Sequence, residues 1–478
     1  MKILYTASEA RPFAASGGLA DVAGSLPKAI VAEGHECNVV MPYYVNNIPD
    51  KYRDKLTKVA EYFVPVGWRS QYCGVLKYEL DGVTYFMLDN EYYFRRDNGL
   101  YGYYDDAERF AFFSRAVLEL IQHEIYVPDI INSNDWQSAL VPVYYNAYYQ
   151  YHHNMRGIQN VFTIHNIQYQ GRYGTNLVPE IFSISAHMMS VLEYDGDVNL
   201  MKAAFECADK ITTVSPTYAE EIFQKWAAFG LDRALHNKRY KTCGFLNGID
   251  TELHNSVKNK KIAATFSAKD LSGKKKCKEA LLKFAGLPIE QDPPVIGIVT
   301  RLVEPKGTDL IVHEFDNLLK WGFRVVILGS GEYRYESFFQ GKSDANRDKV
   351  YFYRGYNPEL ADLIYAGADM FLMPSKSEPC GLAQMIAMRY GTVPIVHSVG
   401  GLKDSVPDVG EEGGLGYTFR SFNAGDMFYA VQRAADTYYK DQPAWQSIMR
   451  RCLSADFSWG TSAKLYLGLY KELYDRVH

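Results

Sequence analysis

Four short segments of the chain combine residue types that can do chemistry. In Ser16-Gly17-Gly18-Leu19-Ala20-Asp21-Val22, paired glycines stand between a predicted strand and the helical pattern of residues 23–32. Glycine at a strand-to-helix turn lets backbone N–H groups approach a phosphate, and the helix N-terminus adds its dipole. The spacing is not G-x-G-x-x-G, so the dinucleotide fingerprint is missing. Taken alone, a tight turn without a ligand accounts for this segment. In Thr300-Arg301-Leu302-Val303-Glu304-Pro305-Lys306-Gly307, two cations five residues apart follow the apolar run 295–299. Arg presents a planar fork and Lys a point charge, a pairing that compensates the charge of a departing diphosphate. A solvated basic loop is the plain alternative.

The third segment, Pro374-Ser375-Lys376-Ser377-Glu378-Pro379-Cys380-Gly381-Leu382, follows the buried run 370–373 and precedes a helical pattern beginning near Ala383. Pro379 restricts the backbone of Glu378 to extended conformations. Strand-end placement aims the Glu378 carboxylate where open α/β sheets bind ligands. An ordinary Pro-bounded loop is again the simpler reading. In the fourth, Phe162-Thr163-Ile164-His165-Asn166, a polar pair ends an apolar strand. A satisfied structural histidine competes with a ligand-facing one.

The elements that must position these segments recur along the chain. Candidate strands are 2–5, 37–41, 83–88, 130–131, 160–164 and 210–214, then 295–299, 324–328, 350–353, 370–373 and 392–396. Continuous apolar strands alternating with helical patterns predict parallel sheets covered on both faces, and two such series predict two doubly wound α/β domains. The boundary falls after Asn247-Gly248-Ile249-Asp250, where residues 256–276 turn rich in Lys, Ala and Ser and read as a solvated connection and a helix start. The expected domains are 1–250 and 251–459. The terminal segment 460–478 carries a helix, roughly 462–477, that can pack back on the first.

Composition narrows the function classes. Hydrophobic residues make up 47% and charged residues 22% of 478 positions, which excludes a disordered or fibrous chain. Lys+Arg total 51 against Asp+Glu 56, a net charge of −5 that offers no global attraction to nucleic acid or an anionic membrane. There is no apolar run long enough for a transmembrane helix, and MKILYTASEA reads as a first buried strand rather than a signal peptide. The seven cysteines (37, 73, 207, 243, 277, 380 and 452) form no C-x-x-C pair, so neither a disulfide framework nor a zinc site is supported. The expected compartment is the cytoplasm. The 38 tyrosines are first of all packing residues with a polar tip, although aromatic rings also stack on sugars.

Together the motifs resemble the bacterial glycogen synthase and plant starch synthase family, over nearly the whole chain and in family order. Besides Gly17–Val22, the matching segments are Asp135-Trp136, Thr163-Ile164-His165-Asn166, Val214-Ser215-Pro216-Thr217-Tyr218 and Leu246-Asn247-Gly248-Ile249-Asp250. The most specific is Ile364-Tyr365-Ala366-Gly367-Ala368-Asp369-Met370-Phe371-Leu372-Met373-Pro374-Ser375, running into Glu378-Pro379-Cys380-Gly381-Leu382. The resemblance implies a GT-B fold, two Rossmann-like domains with the active site in the cleft between them. It implies glucose transfer from ADP-glucose to the non-reducing 4-OH of an α-1,4-glucan, with retention and without a metal or other cofactor. By the family pattern, Arg301 and Lys306 hold the donor diphosphate with Gly17 and Gly18. His165 and Asn247 bind the glucose, Glu378 lies near its hydroxyls or the forming oxocarbenium, and Asp135 lies near the reacting sugar. Cys380, Gly381 and Leu382 complete the donor site, Tyr356 stacks on the base, and Glu9 and Asp21 line the first domain's side. The implied partners are a nucleotide sugar and a glycogen- or starch-like acceptor, with no nucleic acid and no membrane.

The chain departs from the family pattern at three places. Ala15 stands where Lys is usual, Ala383 where Thr is common, and Val399 where Thr usually precedes Gly400-Gly401-Leu402. Each removes a polar group from the expected phosphate neighbourhood, and one charge-assisted hydrogen bond is worth about 1.5–3 kcal/mol. A UDP-glucose enzyme, a different acceptor, or a glucan-binding paralogue with a weakened site are therefore the competing readings. A glycogen phosphorylase would need a pyridoxal-phosphate lysine site, which no motif suggests.

Overall fold

Eighteen strands and the helices between them build two units in the computed structural model, which describes residues 1–290 and 292–478. One unit comprises Met1–Gly248 with Trp459–His478, the other Ile249–Ser458.

In the first unit the strands are β1 (Lys2–Thr6), β2 (Glu36–Pro42), β3 (Thr57–Val66), β4 (Arg69–Leu80), β5 (Val83–Asp89), β6 (Ile130–Asn134), β7 (Gln159–Ile164), β8 (Arg172–Tyr173), β9 (Glu193–Tyr194), β10 (Asp197–Asn199), β11 (Lys210–Thr213) and β12 (Thr242–Gly244). Nine form one sheet in the order β12-β11-β7-β6-β1-β2-β5-β4-β3, and β8, β10 and β9 form a small antiparallel one. The large sheet is parallel from β12 to β5 but antiparallel through β4 and β3. The expectation of a wholly parallel sheet fails there for a physical reason. Along β3, Tyr62, Val64 and Val66 are buried while Glu61 and Phe63 are exposed. A strand with one solvated face alternates and presents no continuous apolar run to detect. The order reverses between β1 and β6, which sets a topological switch point at their C-terminal ends.

The helix Gly18–Ala32 follows β1 and buries Leu19, Val22, Leu26 and Ile30 at helical spacing. It starts at Gly18, earlier than its apolar pattern suggested. The helix Trp459–Tyr474 packs within the same unit, where Tyr470 Oη donates to Asn132 Oδ1 at 2.7 Å and Ser462 Oγ to the Leu246 carbonyl at 2.6 Å. Among the described residues, no helix is long and apolar enough to cross a membrane.

The second unit holds β13 (Val295–Val299), β14 (Arg324–Gly329), β15 (Val350–Arg354), β16 (Met370–Met373), β17 (Val393–His397) and β18 (Tyr417–Phe419). They form a wholly parallel sheet, β15-β14-β13-β16-β17-β18, whose order reverses between β13 and β16. Its core gathers Leu281, Leu282, Ile364, Phe371 and Tyr390, among others. The lysines before this core are not all solvated, contrary to their sequence reading. Lys274 is buried, donating to the Tyr390 carbonyl at 2.7 Å and to Thr392 Oγ1 at 2.5 Å, and burial pulls its ammonium down to about 7.

Candidate active site

Two clusters gather the sequence-predicted residues, each at the switch point of its own sheet. In the first unit, Asp135 directly follows β6 with φ +53° and ψ −178°. A non-glycine residue held there stores about 1–3 kcal/mol of strain, which the surrounding bonds must sustain. The Asp135 N–H donates to the Thr163 carbonyl at 3.0 Å. Its Oδ1 accepts the His165 N–H at 2.8 Å and the Asn166 N–H at 3.4 Å. Desolvation pushes this carboxyl up to about 7, against the pull of those two backbone donors.

The tautomer of His165 follows from its neighbour. Asn134 Nδ2 donates to the carbonyls of Thr6 at 3.0 Å and Asn132 at 3.2 Å, so its Oδ1 must be an acceptor. His165 Nε2 lies 2.8 Å from that oxygen and therefore carries the proton. Burial pulls the imidazole down to about 3, which keeps the ring neutral with a lone pair on Nδ1. Asn247 is 6% exposed, and its Oδ1 is buried without a hydrogen-bond partner among the described residues. An orphan of that kind costs about 1–3 kcal/mol until something donates to it.

The glycine loop is open. Among the described residues, a Cβ on Gly18 would meet nothing within 4 Å, and one on Gly17 only Glu9 Oε1 at 3.8 Å. The protein's own atoms do not demand glycine here, whereas a ligand approaching the backbone would. Glu9 lies buried beneath, accepting the Ser16 N–H, and burial raises its carboxyl. Asp21 pairs with Arg11 at 2.5 Å on the surface, so the segment carrying Ala15 already presents one cation.

In the second unit the loops after β13, β16 and β17 pack on one another. A Cβ on Gly307 (φ +71°) would sit 2.0 Å from the Pro374 carbonyl, and one on Gly400 (φ +43°) 2.1 Å from the Glu378 carbonyl. Only glycine permits both the conformation and the approach. Lys376 N–H donates to the Pro305 carbonyl at 2.9 Å, and Gly401 N–H to that of Glu378 at 3.1 Å. Lys306 Nζ donates to Glu378 Oε2 at 2.6 Å, and Ser375 Oγ donates to the same oxygen at 2.9 Å. Arg301 is exposed, and its guanidinium makes no hydrogen bond or ion pair with the described residues. Cys380 is buried and Gly381 and Leu382 half-buried, just before the helix Ala383–Arg389. Tyr356 stands 83% exposed beyond the edge strand β15.

Val399 is the N-cap of the helix Gly400–Ser405 and offers no side-chain oxygen to its N–H groups. Among the described residues, no three His, Cys, Asp or Glu side chains gather as a metal site would require.

Sequence reasoning missed Asn134 and gave Ser375 no role of its own, although they fix His165 and Glu378. The signal for Asn134 was present: Asn132, Ser133 and Asn134 are polar yet fully buried in an interior strand.

Comparison with known proteins joins these clusters to one family. Residues 2–237 match the starch synthase catalytic domain and residues 281–429 the glycosyl transferases group 1 domain. The chain is 44% identical to the glycogen synthase of Ligilactobacillus salivarius, covering 99% of this chain and 100% of that one. It is 45% identical to the glycogen synthase of Anoxybacillus flavithermus, covering 99% and 98%. The catalytic domain of starch synthase IV from Arabidopsis thaliana, solved with ADP and acarbose, superposes with a TM-score of 0.90 at 34% identity, over 99% of each chain. A sucrose-phosphate synthase from Thermosynechococcus elongatus shares the fold at a TM-score of 0.62 and 18% identity, over 99% of each chain.

Proposed function

The chain belongs to the glycogen and starch synthase family of GT-B glycosyltransferases, and from that premise we propose that it transfers glucose from ADP-glucose to the non-reducing 4-OH of an α-1,4-glucan with retention. The observation that carries this reading is the exposed Arg301 guanidinium, unpaired among the described residues, in the loop that also holds Lys306, at the sheet's switch point. The starch synthase neighbour holds ADP and acarbose, which supports a nucleoside-diphosphate donor and an α-glucan acceptor for this chain.

In this reading the bond between glucose C1 and the diphosphate oxygen breaks. The acceptor O4 bonds to C1 on the same face, and the acceptor proton passes to the departing phosphate. Arg301, Lys306 and the Gly18 N–H compensate the negative charge growing on the leaving group. The His165 Nδ1 lone pair and Asn247 Oδ1 accept hydroxyl protons of the glucose. Asp135 faces the positive charge growing at C1. The Cys380–Leu382 backbone and Gly17 complete the donor site, Tyr356 stacks on the base, and Glu9 and Asp21 hold the first unit's loop. No step calls for a metal, so chelator should leave the rate unchanged. Turnover of ADP-glucose and UDP-glucose, side by side on a glycogen primer, tests the proposal. Faster use of UDP-glucose would favour the second reading, which the absent polar groups at Ala15, Ala383 and Val399 motivate. No turnover of either would leave a glucan-binding protein.

The raised carboxyl of Asp135 gives this reading a pH signature. A carboxylate facing a developing cation must be ionised, and this group loses its proton only as pH rises through about 7. The value of kcat is expected to climb across that range, with no contribution from the neutral His165. Asp135→Asn should lower kcat and flatten the acid limb of what remains. An unchanged limb in that variant would exclude Asp135 as its source.

Ala15→Lys tests whether the missing cation limits donor binding. The side chain at 15 is exposed, so the substitution should fold normally. One added charge-assisted hydrogen bond should tighten ADP binding about tenfold in a calorimetric titration. No gain would mean that the pocket has been rebuilt around cations it already has, Arg11 among them.

A further inference from the structure

Gln384 stands in the first turn of the helix Ala383–Arg389 and is fully buried. Its Nε2 donates to the Gly381 carbonyl at 2.9 Å, the Cys380 carbonyl at 3.2 Å and Ser405 Oγ at 3.0 Å. Those partners fix which way the amide faces. Carbonyls only accept, and Ser405 Oγ gives its own proton to the Gly401 carbonyl at 2.6 Å, so all three contacts call for an N–H. Oε1 is left buried without a hydrogen-bond partner among the described residues. A Cβ on Gly381 (φ +74°) would sit 2.6 Å from that oxygen, so side chain and glycine constrain each other.

The consequence lies in the backbone. Cys380–Gly381 and Gly381–Leu382 are trans peptides, in which C=O and N–H point opposite ways. With both carbonyls drawn inward to Gln384, the N–H groups of Gly381 and Leu382 turn outward. Among the described residues neither N–H has a hydrogen-bond partner. Gly381 is left-handed and Leu382 right-handed (φ −113°, ψ −31°), a succession that makes neighbouring N–H groups converge on an anion. The same amide reaches a second loop. Ser405 Oγ holds the Gly401 carbonyl, and the Gly401 N–H donates to the Glu378 carbonyl at 3.1 Å.

We propose that Gln384 is a positioning residue for the donor diphosphate: it holds two carbonyls back so that the Gly381 and Leu382 N–H groups meet the phosphate oxygens. The inference rests on the proposed transfer from a nucleoside-diphosphate sugar. Because Ala383 brings no hydroxyl, this part of the loop meets the diphosphate through backbone donors, whose direction Gln384 sets. Filling space does not by itself call for an amide. Met has nearly the same shape and would bring no oxygen to be orphaned. The two N–H bonds of the amide are what the site gains from Gln.

Two measurements on the full-length protein decide the matter. Gln384→Met keeps the volume and removes all three contacts. Its Kd for ADP should rise about tenfold in a calorimetric titration, the value of one charge-assisted hydrogen bond. Adenosine, which lacks the phosphates, should keep its affinity; UDP and uridine serve in the same way should the protein prefer uridine. A pocket merely loosened by the substitution would lose adenosine as well, and that result would overturn the proposal, as would unchanged ADP binding. The second measurement needs no change at 384. Cys-Gly peptides stand at Cys73-Gly74, Cys243-Gly244 and Cys380-Gly381, so protein labelled with 13C-carbonyl cysteine and 15N-glycine gives a sparse amide spectrum. Cys380→Ser assigns Gly381 by the loss of its signal. On saturation with the nucleoside diphosphate, the Gly381 amide proton should move downfield as it gains a phosphate acceptor. An unmoved Gly381 signal in the bound protein would overturn the inference alone, even if Gln384→Met failed to fold. Wild-type protein that binds neither ADP nor UDP would overturn the functional reading, and this inference with it.

Discussion

Arg301→Ala is expected to lower kcat on ADP-glucose and glycogen by about 10²–10³, with a much smaller change in donor KM and none in melting temperature. The magnitude is that of removing one preorganised donor from a site of developing negative charge. The split between kcat and KM follows because the diphosphate gains charge only as the glycosidic bond breaks, so the lost interaction is strongest in the transition state. Stability should not move, since the guanidinium is exposed and bonds to no described residue. That makes the variant unusually clean: a lost rate cannot be blamed on a loosened fold. Arg301→Lys should recover only part of the loss, because an ammonium cannot present a planar fork to two phosphate oxygens. Steady-state kinetics of the three proteins, with thermal melts alongside, checks each statement. A wild-type kcat in Arg301→Ala would remove this residue from the chemistry.

The sequence showed the parallel parts of the fold because parallel strands are buried on both faces and read as continuous apolar runs, as in β13 (Val295–Val299). It hid the β3–β4 hairpin, whose alternating pattern lacks such runs. The chemistry-bearing loops were legible because strand ends announce themselves where an apolar run meets Gly, Pro or charge. Their pairings were not. Nothing local links Lys306 to Glu378, 72 positions later, or His165 to Asn134, 31 positions earlier. Topology alone brings them together, at the strands where each sheet reverses its order.

The Lys306–Glu378 pair shows why such pairings matter, and its removal should separate folding from catalysis. The side chain of Glu378 is 8% exposed and that of Lys306 20%. Lys306→Ala strips the carboxylate of its counter-ion and, among the described residues, leaves only Ser375 Oγ to hold it. Breaking a buried pair from one side costs about 3–5 kcal/mol, and partial solvent access to Lys306 argues for the lower end. For a domain of this size that is a fall of roughly 6–12 °C in melting temperature. Adding Glu378→Gln removes the uncompensated charge and keeps an amide that Ser375 can still reach, so most of the stability should return. Activity should not return with it. If Lys306 leaves Glu378 to meet the incoming diphosphate, the double variant still lacks that cation, and kcat should stay down by about 10²–10³. Rescue of both properties together would make the pair a structural brace with no part in the reaction. Rescue of stability alone would mean that at least one member of the pair, the Lys306 ammonium or the Glu378 carboxylate, acts in the reaction as well as in the fold, and the Glu378→Gln single variant would tell the two apart.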